Sequence, residues 1–231
     1  MERKEFLKRL GMSSIILPIF AACNESDDPA SADDDSGACT STPTETAGPF
    51  PTKNPSSLVV VDITSDRTGV KLVAKITVKN KNNNCAPLEG ALVDIWHCDK
   101  DGYYSEYGGT GSQSANLTAY HFLRGRQVTD NNGLAAFTSI YPGWYPGRAP
   151  HIHVHIYDAA GKSLLVTQIA FPTGINDAVY TTATQFYTKG KQDTSNASDG
   201  VFADSLARET SVVAGTVQDG YLLTHTIVVN A

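Results

Sequence analysis

Residues 151–171 read HIHVHIYDAAGKSLLVTQIAF. His151–Tyr157 and Leu164–Phe171 are two strand-like runs, and Asp158–Lys162 (DAAGK) between them is a turn sequence, so the stretch predicts an antiparallel hairpin. Just upstream, Gln127–Thr129 and Leu134–Phe137 flank Asp130-Asn131-Asn132-Gly133. Asn and Gly tolerate positive φ, which makes this a second hairpin. Further out, Val70–Val78 alternates with a period near two, as a half-buried strand does. Asn80–Asn84 (NKNNN) makes a polar turn, Ala91–Trp96 is a bulky apolar strand, and Tyr221–Val229 closes the chain as a last strand. Only Ser205–Ala214 reads as helical, and there is no internal repeat. Many short strands separated by turns predict an all-β fold, a sandwich of mixed strands with little helix. Gly102–His121 has no periodicity, and unstructured stretches of that length are often functional.

The chain has 231 residues, with 18 Lys+Arg against 24 Asp+Glu and a formal net charge of −6. The position of those charges matters more than their sum. Arg3, Lys4, Lys8 and Arg9 face only Glu2 and Glu5 in the first 22 residues, whereas residues 24–38 carry Glu25, Asp27, Asp28, Asp33, Asp34 and Asp35 and no basic residue. The remaining body, 39–231, holds 14 basic and 16 acidic residues and is almost neutral. That balance excludes a basic nucleic-acid binder and an acidic disordered protein. Its length suits one core, because domains commonly run about 100–200 residues.

Three segments follow from this patterning: a signal peptide at 1–22, an acidic flexible tether at 23–38, and a single domain at 39–231. The apolar run Leu10–Ala22 is 13 residues, short of the roughly 20 that span a membrane, and it fits a signal-peptide core. Phe20-Ala21-Ala22-Cys23 resembles a bacterial lipobox, with Phe20 where Leu is usual, and this makes Cys23 the expected lipidation site. Arg3-Lys4-Glu5-Phe6-Leu7-Lys8 resembles a twin-arginine export signal with Lys4 in place of the second arginine. A simple cleaved secretory signal is the alternative. Asn24–Ala38 lacks aromatic and β-branched residues, so it cannot offset its ordering entropy and reads as a solvated linker. The expected location is therefore the periplasm or the outer-membrane surface, with the lipid on Cys23 as the only membrane contact.

Cys39, Cys85 and Cys98 remain. Export implies oxidising conditions, so one disulfide is expected. Cys85 and Cys98 flank the strand Ala91–Trp96 and form the expected pair, with Cys39–Cys85 as the alternative. No Cys or Cys/His spacing matches a zinc site.

The chemistry lies between Trp96 and Gln168. On a strand, His151, His153 and His155 project from one face, and imidazoles so spaced suit zinc, copper or iron. Tyrosines surround them: Tyr103, Tyr104, Tyr107, Tyr120, Tyr141 and Tyr145. A phenol, with a reference pKa of about 10, ionises at neutral pH only beside a strong Lewis acid, a role that trivalent iron fills.

Several motifs, in this order, resemble the intradiol ring-cleavage dioxygenases, the family of the catechol, hydroxyquinol and protocatechuate enzymes. They are Gly102-Tyr103-Tyr104-Ser105, Leu123-Arg124-Gly125-Arg126 with Thr129-Asp130, Pro142–Pro146 (PGWYP) and Arg148–His153 (RAPHIH). Thr46–Phe50 (TAGPF) and Val93–His97 (VDIWH) are similar to two further segments of that family. The resemblance spans about residues 39–175. It implies one Fe(III) per chain held by Tyr104, Tyr145, His151 and His153. It also implies Arg148 facing the substrate, Gln168 positioning the reacting intermediate, and Tyr145 as the tyrosine that substrate displaces. The implied reaction takes a small aromatic diol and O2 to a cis,cis-muconate-type dicarboxylic acid, with no organic cofactor. Two departures stand out. Arg-Ala-Pro-His replaces Arg-Pro-Ala-His, and only five residues separate Tyr145 from His151. For His155 packing is the default. The helical dimerisation segment of the catechol branch has no counterpart here, so no oligomer is indicated.

Two other readings compete. One is a metal-free sandwich that binds a ligand without catalysis, because fold alone does not imply chemistry. The other is a zinc or copper site built from His151, His153 and His155. His97, His121 and His225 are expected to be packing, surface or sheet residues.

Overall fold

The computed structural model describes residues 39–109, 111 and 113–231. The expected signal peptide, Cys23 and the tether of 23–38 lie outside the described residues. No described helix is long and apolar enough to cross a membrane.

The described residues form two sheets. In the first, β1 (Lys71–Asn80) lies between antiparallel β5 (Leu134–Ile140) and parallel β9 (Gly220–Val229). The far end of β1 also pairs with β2 (Ala86–Pro87), and β9 pairs with β8 (Val212–Thr216). The second sheet runs β4 (Arg124–Val128), β3 (Leu92–Trp96), β6 (His151–Tyr157), β7 (Ser163–Ala170), all antiparallel. Alternation sets the register. Leu72, Ala74, Ile76 and Val78 of β1 meet Val93, Ile95, Ile152, Val154, Ile156 and Ile169 of the second sheet in one core. Each buried aliphatic side chain contributes roughly 1.5–3 kcal/mol, and a one-residue slip would expose them all.

That register sends His151, His153 and His155 to the opposite face of β6. This outer face is covered at one end. The segment Thr42–Lys53 crosses from β9 to β7: Thr42 and Val228 exchange hydrogen bonds, Glu45 N donates to Val166 O, and Gln168 Nε2 donates to Thr46 O. It ends over a small second core of Phe50, Trp96, Cys98 and Tyr104.

Several expectations change. Ser205–Ala214 is not one helix. Only α2 (Leu206–Glu209) is helical, and the β-branched Val212-Val213 pair enters β8 to complete the edge of the first sheet. With α2 comes an earlier helix, α1 (Thr173–Thr182), which periodicity did not indicate. It is held by burial of Asn176, Val179 and Tyr180 rather than by propensity. β4 begins at Arg124, because both arginines of Arg124-Gly125-Arg126 find buried partners. The expected Cys85–Cys98 bridge does not form. Cys39 pairs with Cys85, with Cα atoms 5.8 Å apart, and Cys98 is free and buried. Cys85 precedes β3 and Cys98 follows it. A five-residue strand such as β3 extends about 17 Å, far beyond the ~7 Å that a disulfide tolerates.

Candidate metal centre

Local rules on three segments bring four side chains together. After β3, the buried Asp99 accepts hydrogen bonds from Asp101 N and Tyr103 N and turns the chain back. Gly102, at φ +90, lets this turn pass against the Trp144 backbone, where a Cβ would meet Trp144 O at 2.3 Å. Tyr104 follows, fully buried. Gln113 grips it from both sides, accepting from Tyr104 N at 2.7 Å and donating to Tyr104 O at 2.8 Å. Tyr145 is supplied by the β5–β6 loop and is only half-buried. His151 and His153 are successive positions on the covered outer face of β6.

The His151 Nε2 lies 3.3 Å from the Tyr104 hydroxyl, 3.3 Å from the Tyr145 hydroxyl and 3.1 Å from His153 Nε2. The His151 Nδ1–H donates to Ala149 O at 2.6 Å, so its Nε2 presents a lone pair. Trp96 stacks on the His153 ring, with centroids 4.9 Å apart and planes 2° from parallel.

Burial, with the Arg148 charge adding to it, pushes His151 down to about 3. Burial and the His151 neighbour hold His153 well below the imidazole range. Burial raises both phenols, Tyr104 well above its usual value. Tyr145 is raised as well, but the Arg148 charge and a hydrogen bond from it work against burial there. All four groups are therefore neutral at pH 7 on their own, with unprotonated nitrogen and phenolic oxygen converging on one point. The His153 Nδ1 is buried without a partner. If that atom carries the proton, two Nε2 lone pairs face each other; if it does not, an acceptor is stranded. A shared cation resolves the facing lone pairs and ionises the phenols, and two imidazoles with two phenolates suit a hard trivalent metal.

Arg148 and Gln168 sit beside this cluster. The Arg148 Nη2 donates to Gln168 Oε1 at 2.6 Å, and its Nε lies 2.9 and 2.8 Å from the two oxygens of Asp199. His155 does not join. Its Nε2 meets Ser163 Oγ at 2.8 Å and its Nδ1 meets the Tyr157 hydroxyl at 2.8 Å. Among the described residues no group of three or more His, Cys, Asp or Glu can hold a metal, which removes the three-histidine zinc or copper site. His97 is buried, bonding Cys98 O and Ser139 Oγ, and the exposed His121 pairs with the buried Glu106.

Gln113 and Asp199 escaped the sequence reading. Neither carries a local signal: Gln113 lies in an aperiodic loop, and Asp199 is 51 positions from its partner Arg148.

A family model described as Dioxygenase matches residues 51–203, well over half the chain. The chain belongs to the intradiol ring-cleavage dioxygenases. This dioxygenase chain is 29% identical over 142 residues to the chlorocatechol 1,2-dioxygenase of Rhodococcus opacus, covering 53% of this chain and 51% of that enzyme. It is 31% identical over 127 residues to the catechol 1,2-dioxygenase of Acinetobacter baylyi, covering 47% and 38% of the two chains. It thus spans about half the length, or less, of these curated relatives. An intradiol ring-cleavage dioxygenase from Tetranychus urticae superposes with a TM-score of 0.72 at 27% identity, over 83% of this chain and 95% of that one.

Proposed function

We propose that this dioxygenase is a non-haem Fe(III) enzyme that cleaves a catechol-type ring between its two hydroxylated carbons. The observation that carries the proposal is the convergence of the Tyr104 and Tyr145 hydroxyls and the His153 Nε2 on His151 Nε2, within 3.1–3.3 Å. Tyr104, Tyr145, His151 and His153 would hold one ferric ion. The ion would supply the Lewis acidity that keeps two phenols ionised and makes a chelated catechol electron-rich enough to meet O2.

The residues of the chain divide the remaining work. Tyr104 is buried and clamped through both backbone groups by Gln113, so its oxygen stays in place. Tyr145 is half-buried and eased toward ionisation by Arg148, so its phenolic oxygen is the one placed to hold a proton from a catechol hydroxyl. The Arg148 guanidinium offsets negative charge that develops on the ring, in a site that Phe50 and the Thr42–Lys53 segment shield from water. Gln168, tied to Thr46 O and Arg148, fixes where that charge lies. Both oxygen atoms enter the product, a cis,cis-muconate-type diacid, and one ring C–C bond breaks. The balance needs no external reductant.

We further propose export and anchoring by a lipid on Cys23, followed by a tether of 23–38 and one catalytic domain from residue 39. The supporting observations are the leader patterning and a Cys39–Cys85 disulfide, which suits an oxidising compartment. Labelled fatty acid that enters the wild-type chain and not Cys23→Ser supports the anchor; equal labelling of both removes it.

The test of the reaction is oxygen uptake by iron-loaded protein with catechol, hydroxyquinol, protocatechuate and their chlorinated relatives, together with a visible spectrum. Expected are one iron per chain, a red-brown tyrosinate-to-iron band that Tyr104→Phe alters, and uptake with at least one diol. A colourless protein without uptake overturns the proposal.

A further inference from the structure

Asp199 is fully buried, and both its oxygens are filled. Its Oδ1 accepts from Arg148 Nε at 2.9 Å and Val201 N at 3.0 Å; its Oδ2 accepts from Arg148 Nε at 2.8 Å and Ala149 N at 2.8 Å. The segment that carries Asp199 fastens three consecutive residues of the β5–β6 loop. Gly147 N donates to Asp193 Oδ1 at 3.2 Å, Arg148 and Ala149 meet Asp199, and the Phe202 ring lies 5.7 Å from the Arg148 guanidinium. Asn196 Nδ2 in turn donates to Phe171 O, which pins the segment to the end of β7. A flexible arginine therefore has one corner tied to a buried carboxylate and one to Gln168, with its remaining edge on the Tyr145 side.

We propose that Asp199 is a positioning residue for the ring-cleavage reaction, holding Arg148 so that its guanidinium faces the substrate beside Tyr145 and not the surrounding water. It hydrogen-bonds none of the four proposed metal-binding residues; it acts on the guanidinium directly and, through Ala149 N, on the loop that carries it. This rests on the ferric reading above, which supplies the substrate that Arg148 faces. An arginine side chain carries about 2 kcal/mol of rotamer entropy. A fixed charge partner removes that freedom before substrate arrives, which is where preorganisation gains its rate. Asp199 also offsets the cost of burying the Arg148 charge, and the ion pair keeps its positive end toward the pocket.

The test uses the iron-loaded full chain with Asp199→Asn, Arg148→Ala and the double variant. Asparagine keeps the shape but sets an NH2 against Arg148 Nε–H or a backbone N–H. Expected are unchanged iron content and visible band, kcat lowered about 10–100-fold, the usual cost of losing a partner that orients a reacting group, and weaker binding of the slow substrate analogue 4-nitrocatechol. In the Arg148→Ala background the Asp199→Asn change should cost almost nothing further. Equal losses in both backgrounds, or a loss of iron in proportion to activity, would show a merely structural role and overturn the proposal. A readout without metal separates this inference from the reaction itself. In the metal-free chain the Arg148 Nε–H resonance should exchange slowly, and in Asp199→Asn it should exchange rapidly; rapid exchange in both overturns the clamp. Slow exchange in a chain that cleaves no diol overturns the reaction and leaves the clamp standing.

Discussion

Gly48 offers the sharpest perturbation of the proposed metal centre that replaces none of its four donors. It sits at φ +68, and a Cβ built on it would lie 3.0 Å from the His153 Cε1 and 3.5 Å from Nε2. Gly48→Ala therefore has two separable costs. The left-handed backbone costs an alanine about 1–2 kcal/mol. The close contact demands that the His153 ring retreat by a few tenths of an ångström, and its other face is backed by Trp96, stacked at 4.9 Å. The ring must tilt instead, turning its Nε2 off the shared point. Gly161, at φ +85 with nothing within 4 Å of an added methyl, isolates the first cost. Gly161→Ala should lower Tm by roughly 2–8 °C, since 1 kcal/mol is worth about 2–4 °C in a domain of this size, and Gly48→Ala by more, because the contact with His153 adds to the backbone cost. Only Gly48→Ala should weaken iron binding, by about 10–100-fold, and shift the visible band. Competition with a chelator, read by absorbance, measures this. A Gly48→Ala protein with wild-type iron affinity and spectrum refutes the claim that the segment sets the His153 position.

Buried polar groups and the disulfide supply three more tests. Burial, reinforced by the neighbouring Glu45 carboxyl, pushes Glu209 up to about 7 from an ordinary 4.5. The folded chain then binds this proton more tightly than the unfolded chain, so stability falls as pH rises from about 4.5 to about 7. The loss is on the order of 2–3 kcal/mol, and Glu209→Gln should flatten that slope in urea titrations at pH 5 and pH 8. Gln113→Leu strands the buried Tyr104 N–H and C=O, costing about 2–4 kcal/mol, and should blue- or red-shift the tyrosinate band at unchanged iron stoichiometry; an unmoved band sinks the clamp. Cys39→Ser opens a loop closed across 46 positions and should destabilise the chain by about 4 kcal/mol, and non-reducing peptide maps should join Cys39 to Cys85, never Cys85 to Cys98.

Much of the site was legible before folding because its donors are chemically conspicuous and its histidines alternate on one strand. Tyr104, Tyr145, His151, His153, Arg148 and Gln168 all stand in one place. The supports were not legible. Gln113 and Asp199 are ordinary polar residues: Gln113 meets Tyr104 through the fold of an aperiodic loop, and Asp199 meets an arginine 51 positions away. His155 shares the strand face with the other two histidines, yet spends both nitrogens on Ser163 and Tyr157.

Period-two alternation was enough by itself to settle the sandwich, its main strands and the face that carries the histidines, since burying one face of a strand is a local pattern with a large energetic consequence. Charge placement gives the expectation that residues 1–38 stand apart from the near-neutral body, and those residues lie outside the described ones. What only the tertiary structure decided is which surfaces meet: the Cys39–Cys85 pairing, α1, the helix-to-strand change at Val212, the loop that brings Gln113 to Tyr104, and the clamp on Arg148. A linear chain holds no direct record of a contact formed across 51 residues.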